Sequence, residues 1–454
     1  MTKKSYEIDM CSGPLLSKIL IFSIPLMLSG ILQLLFNAAD IIVVGHYSGS
    51  EALAAVGATS TLINLLVNVF MGLSVGSNVL IAHFYGAHQD KEVSETLHTS
   101  ILLSILCGFI LLIIGFVLAK PLLLMMGTPH DVLSASTLYM QIYFIGMPAM
   151  LVYNFGSAIL RAIGDTKRPL YFLLAAGVVN VFLNLYFVIG LHMGVAGVAL
   201  ATVLSQCISA GLILLCLMHH PGSCHFEFSK LRLHTNKVGR ILRIGLPAGL
   251  QGAIFSISNV LIQSSVNSFG SIAMAGNTAT ANVEGFIYTS MNAFHQTTLS
   301  FTSQNLGAKK VDRIGKTLIL CLICVALVGT TMGLGCLTFG RQLLGFYSSD
   351  PKVIEYGLLR MNIILTTYAA CGVMDVLVGS IRGMGYSIMP MLVSLLGACG
   401  IRILWIFTIF PLNRTLTTLY LSYPISWTIT ALIHLICFIW CYKKLKKDCS
   451  TVSV

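Results

Sequence analysis

Candidate chemistry in this sequence begins with acids and amides set inside apolar runs. Asp40 lies in NAADIIVVGHY (37–47), toward the end of an apolar stretch that starts near Leu15, with Asn37 three residues and Gln33 seven residues earlier. On a helix that spacing places the three on roughly one face. Asn180 and Asn184 stand one turn apart in a second apolar run, and Thr202 lies in the next. A carboxylate surrounded by amide and hydroxyl oxygens can hold a small cation or accept a proton. Glu284 and Asp375 are further acids within apolar stretches, where they would attract a cationic organic molecule or serve as a second protonation site. At the centre of a membrane span a charge costs about 2.5–3.5 kcal/mol on insertion scales, so such acids normally face partners or a cavity.

The elements that must carry these residues follow from composition. The chain is 56% hydrophobic and only 9% charged, far from the balance of a soluble domain. Windows of about 19 residues mark twelve apolar segments, near 15–43, 52–80, 96–119, 136–157, 168–190, 194–217, 240–266, 277–300, 316–339, 356–379, 388–410 and 415–440. In lipid the backbone must satisfy its own hydrogen bonds, and no segment alternates as the strands of a transmembrane barrel do. The sequence therefore predicts an all-α integral membrane protein.

The net charge of +11 does not point to nucleic acid. With the N-terminus assigned to the cytoplasm, most Lys and Arg fall inside, from Lys3, Lys4 and Lys18 to Lys443, Lys444, Lys446 and Lys447. Only Lys120, Arg341, Lys352 and Arg414 fall outside, with Arg360 near a helix start and Arg402 within a span. This is the positive-inside pattern, and it predicts a plasma-membrane protein with both termini cytoplasmic. No cleavable signal peptide is expected, because the first apolar run is long and lacks a small-residue cleavage site.

An internal repeat organises the spans. SGSEALAA (48–55) resembles FGSIAMAG (269–276), pairing Gly49 with Gly270 (270 − 49 = 221), and YGAHQ from Tyr85 resembles LGAKK from Leu306 at the same offset. LRAIGDTKRP from Leu160 and IRGMGYSIMP from Ile381 pair Arg161 with Arg382, Gly164 with Gly385 and Pro169 with Pro390. Pro25 and Pro247 match with one residue of slippage. Each half carries six spans, an even number, so the halves are parallel repeats and two six-helix lobes with a cleft between them are expected. The division predicted is an N-terminal lobe (1–217), a cytoplasmic connector (218–239), a C-terminal lobe (240–442) and a basic cytoplasmic tail (443–454).

These motifs, with the D-x-x-x-V-G of Asp40 to Gly45, ALAAVG (52–57) and SQNLGA (303–308), resemble the multidrug and toxic compound extrusion (MATE) family over nearly the whole chain. His83 departs from the pattern, standing where the family often has Gln. The resemblance implies a twelve-helix antiporter that expels organic, often cationic compounds in exchange for Na+ or H+, with an ion site in the first lobe. Asp40, Asn180, Asn184 and Thr202 fall on that site, as a possible Na+ site or a proton site, with Asn154 at its inner edge. Asn184 replaces a second Asp of some relatives, which leaves the choice of ion open. In the second half the position paired with Asp40 is Ile262 or Gln263, so the carboxylate is not a requirement for folding the repeat. Glu284, Asp375, Gln33, Asn259 and Gln263 are the candidates for the substrate cavity.

Other readings are weaker. A flippase for lipid-linked oligosaccharides or other lipids has a related design, but it needs a strongly basic cavity for phosphates. A membrane-embedded enzyme would cluster Asp, His or Cys at one face, and no such cluster stands in the sequence. Neither CLIC (321–324) nor HHPGSCHF (219–226) has a partner cluster, and an odd count of thirteen cysteines argues against a disulfide framework. No cofactor beyond the coupling ion is expected. The expected partners are small organic substrates and the bilayer, with the protein acting as a monomer.

Overall fold

The computed structural model describes residues 6–451, and these are helical with no strand. Lys3 and Lys4 of the inward-facing basic set, and residues 452–454 of the basic tail, lie outside the described residues. Each of the twelve apolar segments corresponds to helix. Spans 1 to 3 are Leu15–Tyr47, Gly49–Gly86 and Asp90–Met125. Span 4 is two helices, His130–Ile145 and Met147–Ala162, bent by 47°. Span 5 is Lys167–Leu185 continued by a π-turn, Tyr186–Gly190, and span 6 is Gly194–Met218. Spans 7 to 9 are Thr235–Asn267, Ser271–Gly307 and Val311–Thr338. Span 10 runs Pro351–Gly383, span 11 Ile388–Thr408 around a π-turn at Leu395–Gly400, and span 12 Leu416–Thr451.

By length and apolar composition ten of these qualify as membrane-crossing among the described residues, and the bent span 4 makes eleven. Span 8 is long enough but too polar to qualify. Its inward face carries Asn277, Thr280, Glu284, Ser290, His295, Thr297, Thr298, Ser300, Thr302 and Ser303, all buried. Helix partners rather than lipid surround that face, so a polar sequence is tolerated there.

The repeat is visible in the backbone. Gly49 and Gly270, 221 positions apart, both adopt left-handed φ values, 86° and 95°, at the turns entering spans 2 and 8. Gly164 and Gly385 do so at 99° and 91°, and even the non-glycine pair His88 and Lys309 shares the conformation, at 55° and 57°. A left-handed residue costs energy without glycine, so its recurrence at one offset marks one fold used twice.

The chain forms two compact units: Ile31–Ala253 with the N-terminal residues through Asp9, and Met10–Gly30 with Ile254–Val454. The boundaries of these units fall inside spans 1 and 7. In the first unit the reason is a close crossing of spans 2 and 7. A Cβ on Gly72 would lie 2.1 Å from the Gly249 nitrogen, and one on Gly76 would lie 2.4 Å from the Ile241 carbonyl oxygen. Small residues four apart let two helix backbones touch, a packing that suits membranes. The 218–239 connector is not simply solvated either. Cys224 and Phe226 are each 1% exposed, Phe226 stacks on His98 of span 3 at 5.5 Å, and Glu227 donates its N–H to His98 Nε2 at 3.1 Å.

The residues preceding span 1 are also held. In the first unit, Ile8 donates to the Gly164 carbonyl at 3.3 Å, and Glu7 accepts from the Tyr85 hydroxyl at 2.9 Å with His220 Nε2 at 3.2 Å. The His220 contact is the largest influence on Glu7 and, with Tyr85, holds its carboxyl below the usual range against the opposing effect of burial. In the second unit, Met10 donates to Gln304 Oε1 at 3.2 Å, Asn305 donates to the Met10 carbonyl at 3.2 Å, and Arg313 donates to the carbonyls of Ser12 and Gly13. The SQNLGA motif is thus a docking site for residues 10–13. Farther along, Phe22 meets Phe301 edge-on at 5.5 Å, and Gly30 leaves room for Thr289.

Candidate ion site in the first unit

Span 1 reaches span 5 through a glycine. A Cβ at Gly177 would lie 1.9 Å from the Phe36 ring, so only glycine admits that ring. Asp40 is one turn beyond Phe36 and Asn184 two turns beyond Gly177, and the docking brings the two together. Asn184 Nδ2 donates to Asp40 Oδ1 and also, at 3.2 Å, to Asn180 Oδ1. Asn180 Nδ2 donates in turn to Ser205 Oγ of span 6 at 3.4 Å, and Ser205 donates to the Thr202 carbonyl at 2.8 Å. Tyr139 and Tyr143 of span 4 lie close enough to feel the Asp40 charge, and their rings stack at 6.0 Å.

The polarity of this network is informative. Both amide hydrogens of Asn184 are used on oxygens, while its Oδ1 has no hydrogen-bond partner among the described residues although Asn184 is only 1% exposed. A buried acceptor without a donor costs about 1–3 kcal/mol. A buried acceptor on an amide that bonds a carboxylate is an environment that a cation would relieve, and so would a proton on Asp40, whose O–H can donate.

The other sequence-derived candidates divide. Thr202 turns its own hydroxyl to the Val198 carbonyl at 3.0 Å and joins the network through its backbone oxygen. Asn154 donates to Met150 of its own helix at 2.8 Å, and Asn37 and Gln33 are exposed on span 1. Ser205, Tyr139 and Tyr143 are additions that sequence reading missed. Ser205 lies three residues beyond Thr202, a spacing that could have found it.

In the second unit the candidate cavity acids are not open charges. Glu284, 7% exposed, receives two hydrogen bonds from Arg360, from Nε at 2.8 Å and from Nη2 at 2.6 Å. Arg360 also donates to Asn277 Oδ1 at 2.6 Å, and its guanidinium lies 5.5 Å from the ring centres of both Tyr420 and Tyr423. Asn277 donates to Gln263 Oε1 at 2.7 Å, so Gln263 belongs to this network, while Asn259 is exposed on span 7. The expectation that Glu284 offers free negative charge to a substrate is therefore corrected: a bidentate guanidinium neutralises it. Asp375 lies beside Tyr288 and Arg382, and its carbonyl meets His295 Nδ1 at 2.6 Å.

Comparison with known proteins bears on the family and the fold. The MatE family model matches residues 25–186 and 247–408, once in each half. The chain is 29% identical over 86% of its length to the probable multidrug resistance protein YpnP of Bacillus subtilis (strain 168), covering 87% of that protein. It is 26% identical to the probable multidrug resistance protein YoeA of the same organism, covering 91% of each chain. A solved structure described as the outward-facing conformation of a multidrug resistance MATE family transporter of the MOP superfamily superposes with a TM-score of 0.91. It is 20% identical, with 98% of this chain and 100% of that one covered, and it shows the shared fold. With a repeat matched in both halves by one family model and relatives aligned over nearly their full lengths, the chain belongs to the MATE family of multidrug efflux transporters.

Proposed function

We propose that the chain is a secondary antiporter in the plasma membrane, exporting small organic compounds at the expense of a Na+ or H+ gradient sensed at Asp40. The observation that carries this reading is the hydrogen bond from Asn184 Nδ2 to the Asp40 carboxylate, on an amide whose buried Oδ1 has no hydrogen-bond partner among the described residues. Together they supply an anionic and a neutral oxygen to one ion, and Asn180 and Ser205 fix the amide that presents them. Coupling follows if ion and substrate favour oppositely facing states, since each can shift the equilibrium only by its difference in affinity between them. The charge of the substrate is a separate matter. Glu284 no longer supports a cationic preference, because its charge is matched by Arg360.

Proteoliposomes loaded with a fluorescent dye test the reading, with a Na+ gradient and a pH gradient imposed one at a time. Wild type exports dye under one of them. Asp40→Asn keeps shape and hydrogen bonding but loses charge and titratable proton, so the protein inserts and binds dye yet exports no more than protein-free vesicles. Normal gradient-driven export by well-folded Asp40→Asn protein would overturn the assignment.

A further inference from the structure

The second unit contains a guanidinium that no carboxylate pairs with among the described residues. Arg402 of span 11, immediately after the π-turn Leu395–Gly400, is 3% exposed. Its Nε donates to Ser426 Oγ at 2.9 Å, and its guanidinium sits 4.3 Å from the ring centre of Tyr423 and 5.4 Å from that of Trp427. Among the described residues Nη1 and Nη2 have no hydrogen-bond acceptor, and no carboxylate pairs with the group. Glu284 is committed to Arg360, whose guanidinium lies 5.5 Å from the ring centres of Tyr420 and Tyr423. Asp375 keeps company with Tyr288 and Arg382.

The energetics show that the seat is incomplete. A guanidinium is attracted to aromatic rings and to a hydrogen-bond acceptor, but burying an ion remains costly unless its other hydrogens also find acceptors. Two rings and one serine hold the Arg402 plane in place and leave the four Nη hydrogens, the half of the fork that grips carboxylate, phosphate or sulfonate, without an acceptor. A residue wanted only for packing would not need that charge. The π-turn just before it is the kind of helix irregularity that collects at functional positions.

We propose that Arg402, seated by Tyr423, Trp427 and Ser426, is an anion-recognition site that takes the carboxylate, sulfonate or phosphate of an organic molecule. The proposal deepens the transport reading by giving its substrate an anionic group, and it reverses the cationic preference expected from sequence. The same chemistry could be offered by a soluble organic anion or by a lipid headgroup, and the site assigns the shared group.

The test is equilibrium binding without any gradient, so a failure here is distinct from a failure of ion coupling. Full-length protein in nanodiscs of phosphatidylcholine is titrated with anionic carboxyfluorescein and with cationic rhodamine of similar size. Wild type binds carboxyfluorescein at least about tenfold more tightly than Arg402→Gln, a change of about 1.4 kcal/mol, whereas rhodamine affinity is the same in both. Arg402→Lys retains the charge but not the fork and falls between them, which keeps the test alive if the Gln variant does not fold. Adding phosphatidylglycerol to the nanodisc separates the sources: competition with carboxyfluorescein in wild type assigns the site to a headgroup, and lack of competition assigns it to a solute. Unchanged carboxyfluorescein affinity in a folded Arg402→Gln protein would overturn the proposal. So would parallel loss of both dyes, which would make Arg402 a structural residue.

Discussion

Glu284→Gln separates a structural ion pair from a substrate-binding charge. The substitution keeps size and shape but leaves Arg360, 6% exposed, without its bidentate partner at 2.8 and 2.6 Å. Breaking a buried pair by removing one member costs about 3–5 kcal/mol, since the other charge stays buried. Arg360 keeps Asn277 at 2.6 Å and the rings of Tyr420 and Tyr423. Those contacts, at about 0.5–2 kcal/mol for each ring, place the cost at the lower end, about 3 kcal/mol. Arg360→Gln should cost a similar amount. The double variant, with two neutral amides that can bond to each other, should cost far less than the sum, leaving a coupling of about 2 kcal/mol or more, within the range for contacting residues. The assay is unfolding of the purified protein in mild detergent by titrated sodium dodecyl sulfate, run on all four proteins at pH 7. Dye export measured on the same proteins should follow stability, falling for cationic and neutral dyes together in the single variants and recovering in the double. Additive stability costs, or a single-variant cost below about 1 kcal/mol, would refute the pairing argument. Selective loss of cationic dye in a stable double variant would return Glu284 to substrate binding.

The remaining predictions concern the first unit. Gly177→Ala drives a methyl into the Phe36 ring and should destabilise the protein by about 1–3 kcal/mol, as overpacking does; adding Phe36→Leu should recover most of that in the same unfolding assay, and no recovery would mean that the Gly177 contact does not seat span 1. Asp40→Asn should abolish export under whichever gradient drives the wild type while leaving dye affinity within about twofold, read by the same titration used for Arg402, because Asp40 acts on coupling through differential affinity. Glu7 has a depressed pKa, so its contribution to docking of residues 6–9 is present above its ordinary value near 4.5 and is lost as pH falls through the lower folded value. Amide exchange of Ile8 should therefore be slow and unchanged from pH 8 to pH 5 after correction for intrinsic rates, and Glu7→Gln should speed it several-fold throughout; equal protection in both proteins would show that Glu7 does not hold the segment.

Much of this architecture could be read from the chain because membrane physics constrains it strongly. Twelve apolar windows became helices, and the 221-residue offset reappears as shared left-handed turns at Gly49 and Gly270 and at Gly164 and Gly385. Asp40, Asn180 and Asn184 were legible as isolated polar groups at helical spacing in apolar runs, and the structure brings them into one network. Tyr139 and Tyr143 were not, since tyrosine in a span has many uses and nothing in their spacing links them to Asp40. The Glu284–Arg360 pair was hidden for a related reason. Its members are 76 residues apart, and Arg360 near a helix start looked like an interfacial charge, although Glu284 in its own span called for a cation. The unit boundaries escaped because hydropathy reports where a helix lies and not which neighbours it chooses. Only the glycine spacing in spans 2 and 7 carried that information.

The docking of residues 10–30 within the second unit fixes an order of events during synthesis. Phe22 leaves the ribosome early, yet its partner Phe301 is made 279 residues later, and Met10 waits similarly for Gln304. At roughly 5–20 residues per second, the interval is on the order of 15–60 s. Throughout that time the start of span 1 must persist as an inserted helix with none of its final second-unit neighbours, held by lipid or by the insertion machinery. The first half of the chain is thus committed to the bilayer before the fold that needs its opening segment exists. Lesions at Phe22 or Gly30 should accordingly leave insertion of the early helices intact and stall maturation at the last step, when the completed second unit has to recover a strand of chain synthesised at the very beginning.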